Sequence, residues 1–226
     1  MTSPCTRDRR PAGRHDMVSV DAKGWRAMLA TRNDLAGEPL VARWAEEGWP
    51  AIRRRAIPGE SSGTALGMPL PPFAGKKRLA FVVQADNVVS IARPPSLNAA
   101  REAAPASWRS TLERLDKLSR RHGVEARVFG SLAWQTLTGL DYLTGRSDLD
   151  LLLDIDRDID LERLTADLAA IEADAPMRLD GELMRGDGAA VNWRELHSGA
   201  DEVLVKSIDG VGLVGRRAFI AGGAVS

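Results

Sequence analysis

One ten-residue stretch limits what this chain can become: residues 147–156, SDLDLLLDID. It reads as a strand. Residues two apart on a strand face the same side, so Asp148 and Asp150 project together while Leu149 and Leu151 face the other way. Two same-facing carboxylates repel each other unless a cation or a proton sits between them. A lone D-x-D also occurs as a plain solvated strand face, so the neighbouring elements decide its meaning.

Those neighbours are orderly. Trp108, Leu112, Leu115 and Leu118 recur at helical spacing, with Ser107 as N-cap and Gly123 as the stop. Residues 125–129 (EARVF) read as a strand, Gly130-Ser131 as a turn and residues 132–138 as a helix. Leu161, Leu164, Leu168 and Ile171 predict another helix, capped near Asp160. Residues 177–184 (MRLDGELM) predict a third strand, and residues 203–205 and 211–214 a hairpin about Asp209-Gly210.

The first half is less regular. Residues 15–20 (HDMVSV) read as an edge strand, and Trp25, Met28 and Leu29 as a helix face starting near Asp21. A second helix face, Leu40 to Ala45, stops at Gly48. Residues 49–57 look extended. Residues 58–75 hold four prolines and four glycines and read as a loop. Residues 78–84 and 88–91 pair as a hairpin about Asp86-Asn87. The proline-bearing stretch 93–106 reads as a linker. The expected organisation is therefore a tail over 1–13, an α/β domain over 14–98 and a second domain over 105–226, an α+β protein overall.

Charge supports the division. Lysine plus arginine and aspartate plus glutamate are 31 each, which argues against binding nucleic acid through bulk charge. Residues 1–103 hold 16 basic against 10 acidic residues, and residues 104–226 hold 15 against 21. A single cysteine, Cys5, excludes a disulfide framework. No apolar run approaches a membrane span of about 18 residues, and residues 1–13 lack the apolar core of a signal peptide. A soluble, cytoplasmic chain with no membrane partner is expected. His15, His122 and His197 show no ligand spacing and read as structural. Trp44, Trp134 and Trp193 read as core.

Chemistry concentrates in the second half. Asp148 and Asp150 offer hard oxygen ligands that suit magnesium, an ion that also accepts substrate phosphates. Gly130 lets backbone approach a ligand closely, and the helix that follows offers free N–H groups to phosphate, with the Ser131 hydroxyl beside them. Asp180 and Glu182 form another same-face pair on the third strand. Either would serve as general base, and Asp180 is preferred as the shorter and stiffer. The run of aspartates from Asp154 to Asp160 reads as a polar turn and helix cap, because no glycine punctuates it as a calcium loop requires. Lys206 reads either as a phosphate contact or as a surface lysine. Arg146 would steady a pyrophosphate or merely offset local acid charge. Arg53-Arg54-Arg55 and Lys76-Lys77-Arg78 are candidate docking runs for an acidic partner.

Gly130-Ser131, Asp148-Leu149-Asp150 and Asp180 together resemble the DNA-polymerase-β-like nucleotidyltransferase superfamily. The words RHDMVSV (14–20), GWPAIRRR (48–55), MPLPP (68–72), VFGSLAWQTLTGLDYLTGRSDLDLL (128–152), RLDGEL (178–183) and EVLVKS (202–207) are similar to the phosphoribosyl-dephospho-CoA transferases of malonate decarboxylase, its holo-acyl-carrier-protein synthases. This resemblance spans about residues 14–220. It implies a nucleotidyltransferase-like mixed sheet in the C-terminal domain and a magnesium cofactor on Asp148 and Asp150. It implies transfer of the prosthetic group from 2'-(5''-triphosphoribosyl)-3'-dephospho-CoA to a serine of the malonate decarboxylase acyl carrier protein, with release of pyrophosphate. Gly130 and Ser131 would bind the departing phosphates, and Asp180 would take the serine proton. The 17 positions from Ser131 to Asp148 exceed the superfamily's usual gap, so an added turn over 140–146 is expected. Two alternatives stand beside this reading: another nucleotidyltransferase that adenylylates a small molecule or protein, and an inactive, antitoxin-like binding module.

Overall fold

The computed structural model describes residues 13–155 and 159–222. The expected tail, apart from Gly13, lies outside the described residues, as do Cys5, Asp156 and Asp158. The chain divides into two units. One comprises Met1–Met68 and Leu79–Arg93, the other Pro69–Arg78 and Pro94–Ser226. Both mix helices with a sheet, so the protein is α+β.

The first unit is built on β1 (Met17–Val20), α1 (Ala22–Thr31), α2 (Asn33–Ala36), α3 (Pro39–Glu47), β2 (Ala51–Arg53), β3 (Thr64–Pro69), β4 (Arg78–Val83) and β5 (Val88–Ala92), of which the end residues Pro69 and Arg78 belong to the second unit. The sheet order is β4-β3-β2-β1-β5. Asp21 caps α1 by accepting the Gly24 N–H at 2.6 Å, and Gly48 ends α3 in the left-handed region at φ 65°. Trp25, Met28, Leu35, Val41 and Trp44 are buried with Leu66, Met68 and Phe81. Each buried tryptophan contributes about 2–3 kcal/mol through the apolar area it withdraws from water.

Three expectations for this unit need correction. β1 is an interior strand, not an edge: Met17 pairs with Ile52 on one side and Ala92 on the other. Stretch 58–75 is not a loop throughout, because β3 runs through it and is buried over Ala65 to Met68. Its glycine, Gly67, is the residue opposite Ile52, where an added Cβ would lie 3.4 Å from the isoleucine methyl. Finally, β4 and β5 do not form a hairpin; they occupy opposite edges of the sheet. A 3-10 turn at Ala85–Asn87 separates them, and the Asn87 carbonyl accepts the Asp21 N–H at 3.0 Å, which steers β5 onto β1.

The second unit contains α4 (Leu97–Ala100), α5 (Arg109–His122), β6 (Glu125–Val128), α6 (Gly130–Thr138), β7 (Leu149–Ile155), α7 (Leu161–Ala173), β8 (Leu179–Arg185), β9 (Ala190–Asn192), α8 (Trp193–His197), β10 (Glu202–Lys206), β11 (Val211–Gly215) and α9 (Arg216–Ile220). Its sheet runs β11-β10-β9-β8-β7-β6. β7 and β8 are parallel, joined through α7, and the remaining neighbours are antiparallel. Leu112, Leu115 and Leu118 of α5 and Leu164 and Leu168 of α7 are buried, as the spacing predicts. Asp160 caps α7 by accepting the Arg163 N–H at 2.9 Å.

The stretch read as a linker is not one. Ser96 bridges to Arg127 of β6, Val128 N–H donates to the Pro95 carbonyl at 2.8 Å, and Ser96 caps α4. Two prolines at 94–95 deprive this stretch of donors, yet its carbonyls still serve the sheet. Ser107 does not cap α5, because it lies inside a 3-10 turn, Ala106–Trp108, that leads into the helix.

Candidate active site

β6 ends at Val128, and α6 begins two residues later at Gly130. The turn between them is fixed to β7, since the Phe129 N–H donates to the Asp150 carbonyl at 3.0 Å. Gly130 has φ 60°, and a Cβ built there would lie 1.8 Å from Asp150 Oδ2. The glycine thus serves two ends: it tolerates the left-handed backbone, and it lets that backbone touch a carboxylate. The Ser131 N–H, expected to face phosphate, addresses Asp150 in this structure and helps to hold its charge.

Asp150 lies on β7 directly opposite Asp180 of the parallel strand β8. Register partners on neighbouring strands share a face and sit about 5 Å apart. Asp148 falls one residue before β7, not within it. Burial first, then the charges of Asp180 and Asp148, push the Asp150 carboxyl up to about 7; the Ser131 N–H and Arg78 pull it back. Burial is the largest cause, and the D-x-D partner Asp148 contributes less than Asp180 does. Among the described residues no group of three or more His, Cys, Asp or Glu side chains is placed to hold a metal ion. The donor chemistry is still of the kind a hard divalent cation takes: Asp150 and Asp180 are register partners, and Asp148 lies within electrostatic reach of Asp150.

Asp180 and Glu182 face different surroundings. Asp180 Oδ1 accepts the Asn192 amide N–H at 2.9 Å and lies 4.0 Å from the Arg194 guanidinium. Glu182 is 5% exposed and ion-paired with Lys206 at 3.1 Å. Lys206 is the counter-charge of this buried glutamate. Arg146 is exposed in the turn before β7. The long step from Ser131 to Asp148 is organised by Gln135, whose Oε1 accepts the Tyr142 and Leu143 N–H groups at 3.1 and 3.0 Å. The Tyr142 hydroxyl in turn donates to the Pro69 carbonyl at 2.8 Å.

The two basic runs part company. Arg54 pairs with Glu60 and donates to the Leu66 carbonyl at 3.0 Å, so the 53–55 run is half-buried structure. Beside Arg54 the Glu60 carboxyl is pulled down to about 2. Residues 76–78 are exposed, and so is Phe73, at 66%. Asn192 and Arg194 escaped the motif reading, and Arg78 enters it only as part of a docking run. Asn192 carried one signal: N-W-R-E is an N-cap residue with glutamate three positions on, the mark of a helix start.

An acid cluster built on a parallel strand pair, beside a glycine turn that opens a helix, has the chemistry of a transferase. A family model for the phosphoribosyl-dephospho-CoA transferase MdcG C-terminal domain matches residues 96–217, and one for the MdcG N-terminal domain matches residues 13–94. A phosphoribosyl-dephospho-CoA transferase of Bradyrhizobium diazoefficiens is 63% identical over 222 residues, 98% of each chain. One from Xanthomonas euvesicatoria is 37% identical over 92% of this chain and 96% of its own. One from Pseudomonas putida is 29% identical over 87% and 86%. No solved structure matches the chain. The chain belongs to the phosphoribosyl-dephospho-CoA transferase family. Among the described residues no helix is long and apolar enough to cross a membrane.

Proposed function

We propose that this chain moves the phosphoribosyl-dephospho-CoA group from 2'-(5''-triphosphoribosyl)-3'-dephospho-CoA onto a serine of the malonate decarboxylase acyl carrier protein, releasing pyrophosphate. The observation that carries the proposal is the Asp150–Asp180 register pair beside Gly130, with Asp148 close enough to raise the Asp150 pKa. A mixed sheet with the acids on adjacent strands supports a nucleotidyltransferase-like fold for the second unit. Asp148 and Asp150 would hold magnesium, which when bound supplies neutralising charge to a triphosphate.

The residues divide the remaining work. Asp180 accepts the proton of the carrier serine hydroxyl. The serine oxygen then forms a bond to the α-phosphorus as the bond to the bridging oxygen breaks, and pyrophosphate leaves. The product is a phosphodiester, and no enzyme nucleophile is needed. The Gly130 turn, the Ser131 hydroxyl and the first-turn N–H groups of α6 beyond Ser131 receive the departing phosphates, since the start of a helix favours anions. Arg78, already within electrostatic reach of Asp150, adds positive charge on the same side.

The mass of purified carrier subunit, measured after mixing with enzyme, donor and magnesium, tests the proposal. The carrier should gain one phosphoribosyl-dephospho-CoA with the triphosphoribosyl donor and nothing with ATP. An adenylyl adduct instead would assign the chain to a different nucleotidyltransferase reaction.

The exposed run beside Phe73 suits an acidic carrier surface, so Lys76→Glu with Lys77→Glu should raise the KM for carrier by about tenfold, consistent with the salt-screened contribution of rim charges. The KM for the donor should hold. An unchanged carrier KM removes this loop from the docking surface.

A further inference from the structure

We propose that Asn192 is a positioning residue that fixes the Asp180 carboxylate for proton transfer, an inference that rests on Asp180 being the base. The Asn192 side chain is used at both ends. Its Oδ1 accepts the Arg194 N–H at 3.0 Å and caps α8, while its Nδ2 donates to Asp180 Oδ1 at 2.9 Å. Two rotational choices of the amide are thereby reduced to one, because only this orientation offers an acceptor to the helix and a donor to the acid. Among the described residues Asp180 Oδ2 accepts no hydrogen bond, so one oxygen is held and the other remains for the acceptor proton.

The nearby cation is held more closely by another acid than by Asp180. Arg194 is ion-paired with Glu172, and its guanidinium lies 4.7 Å from the centre of the Trp193 ring. Glu172 Oε1 also accepts the Leu179 N–H at 2.8 Å, one residue before Asp180. Arg194 Nη1 makes no hydrogen bond and forms only a long ion pair with Asp180 Oδ1, at 4.0 Å. The neutral Asn192 amide therefore makes the closer and directional contact with Asp180, 2.9 Å against 4.0 Å for the guanidinium. Trp193 anchors the assembly. Its Nε1 donates to the Leu179 carbonyl at 3.0 Å, and it packs so closely on Gly181 that a Cβ there would lie 2.8 Å from the ring.

A plain helix cap would explain half of this geometry, so the test separates cap from orienter. Asn192→Ser keeps an oxygen for the cap and removes the donor to Asp180. Its melting temperature should hold within about 3 °C, its KM values for donor and carrier within about twofold, and its kcat should fall about tenfold or more. Asn192→Asp, also a strong cap, should lose at least as much kcat by setting a second carboxylate against Asp180. It carries the same test should the serine variant fold poorly. Unchanged kcat in a folded variant overturns the inference.

Asp180→Asn distinguishes the two levels. If it retains activity, the base assignment fails. If it is inactive while Asn192→Ser is fully active, only the positioning role fails. The double variant should be no slower than Asp180→Asn alone, and a further tenfold loss would show that Asn192 acts elsewhere.

Discussion

Gly130→Ala is expected to abolish transfer and to destabilise the second unit by about 3 kcal/mol or more. Two penalties coincide at this residue. At φ 60° any L side chain is strained, which costs about 1 kcal/mol. The new Cβ would also lie 1.8 Å from Asp150 Oδ2 and 2.6 Å from its carboxyl carbon, so the acid must be driven out of place. Gly139→Ala isolates the first penalty, because Gly139 has φ 70° with nothing within 4 Å of the added carbon. Chemical denaturation of the two variants side by side should show the Gly130 substitution costing at least twice as much. Carrier mass should then show Gly139→Ala active and Gly130→Ala inactive. Equal stability losses, with activity kept in both, would mean that the turn does not depend on its contact with Asp150.

Asp150→Asn should behave in the opposite sense for stability. The Asp150 carboxyl is held at about 7 in the folded chain against about 3.9 when unfolded, so the folded state binds the proton more tightly. Folding is then penalised as pH rises through the window from about 4 to about 7, and the penalty is constant above it. Three units correspond to a ceiling of roughly 4 kcal/mol, which solvent reaching the half-buried group reduces to about 2 kcal/mol. The amide variant never ionises there. At pH 8 with chelator present it should melt about 5 °C higher than the parent, and at pH 4 the difference should vanish. Millimolar magnesium should raise the parent and leave the variant unmoved, because the ion stabilises only the chain that binds it. The variant should nevertheless add no mass to the carrier. A variant that melts no higher at pH 8, or one that still transfers the group, would remove Asp150 from the acid centre.

Much of this centre could be read from residue order alone, for a local reason. Gly130, Ser131, Asp148, Asp150 and Asp180 stand at the ends of strongly patterned elements, where apolar periodicity locates the strands and helices without tertiary information. The helix caps at Asp21 and Asp160 follow from the same local chemistry. What the order of residues left hidden is non-local. The interior place of β1 and the separation of β4 from β5 depend on which strand edges meet, and strand pairing follows burial and packing between distant segments. β3 was concealed by Gly67 and Pro69, residues that signal a break in isolation but lie opposite Ile52 and at a strand end in the fold. β9 is three residues long and too short to show a period. The contact between Asn192 and Asp180 exists only because β9 lies beside β8.

The parallel pairing of β7 with β8 has a kinetic corollary. Asp150 and Asp180 become neighbours only after the chain has travelled out along α7 and returned. Closing that excursion is among the slower events available to a domain of this kind, since the ordering entropy is lost before the contact is made. The step also forces the two carboxylates together, so electrostatic repulsion peaks as the sheet completes. A divalent cation present during refolding should therefore act late, on the closing of the sheet, and leave the earlier formation of α5 and α6 untouched.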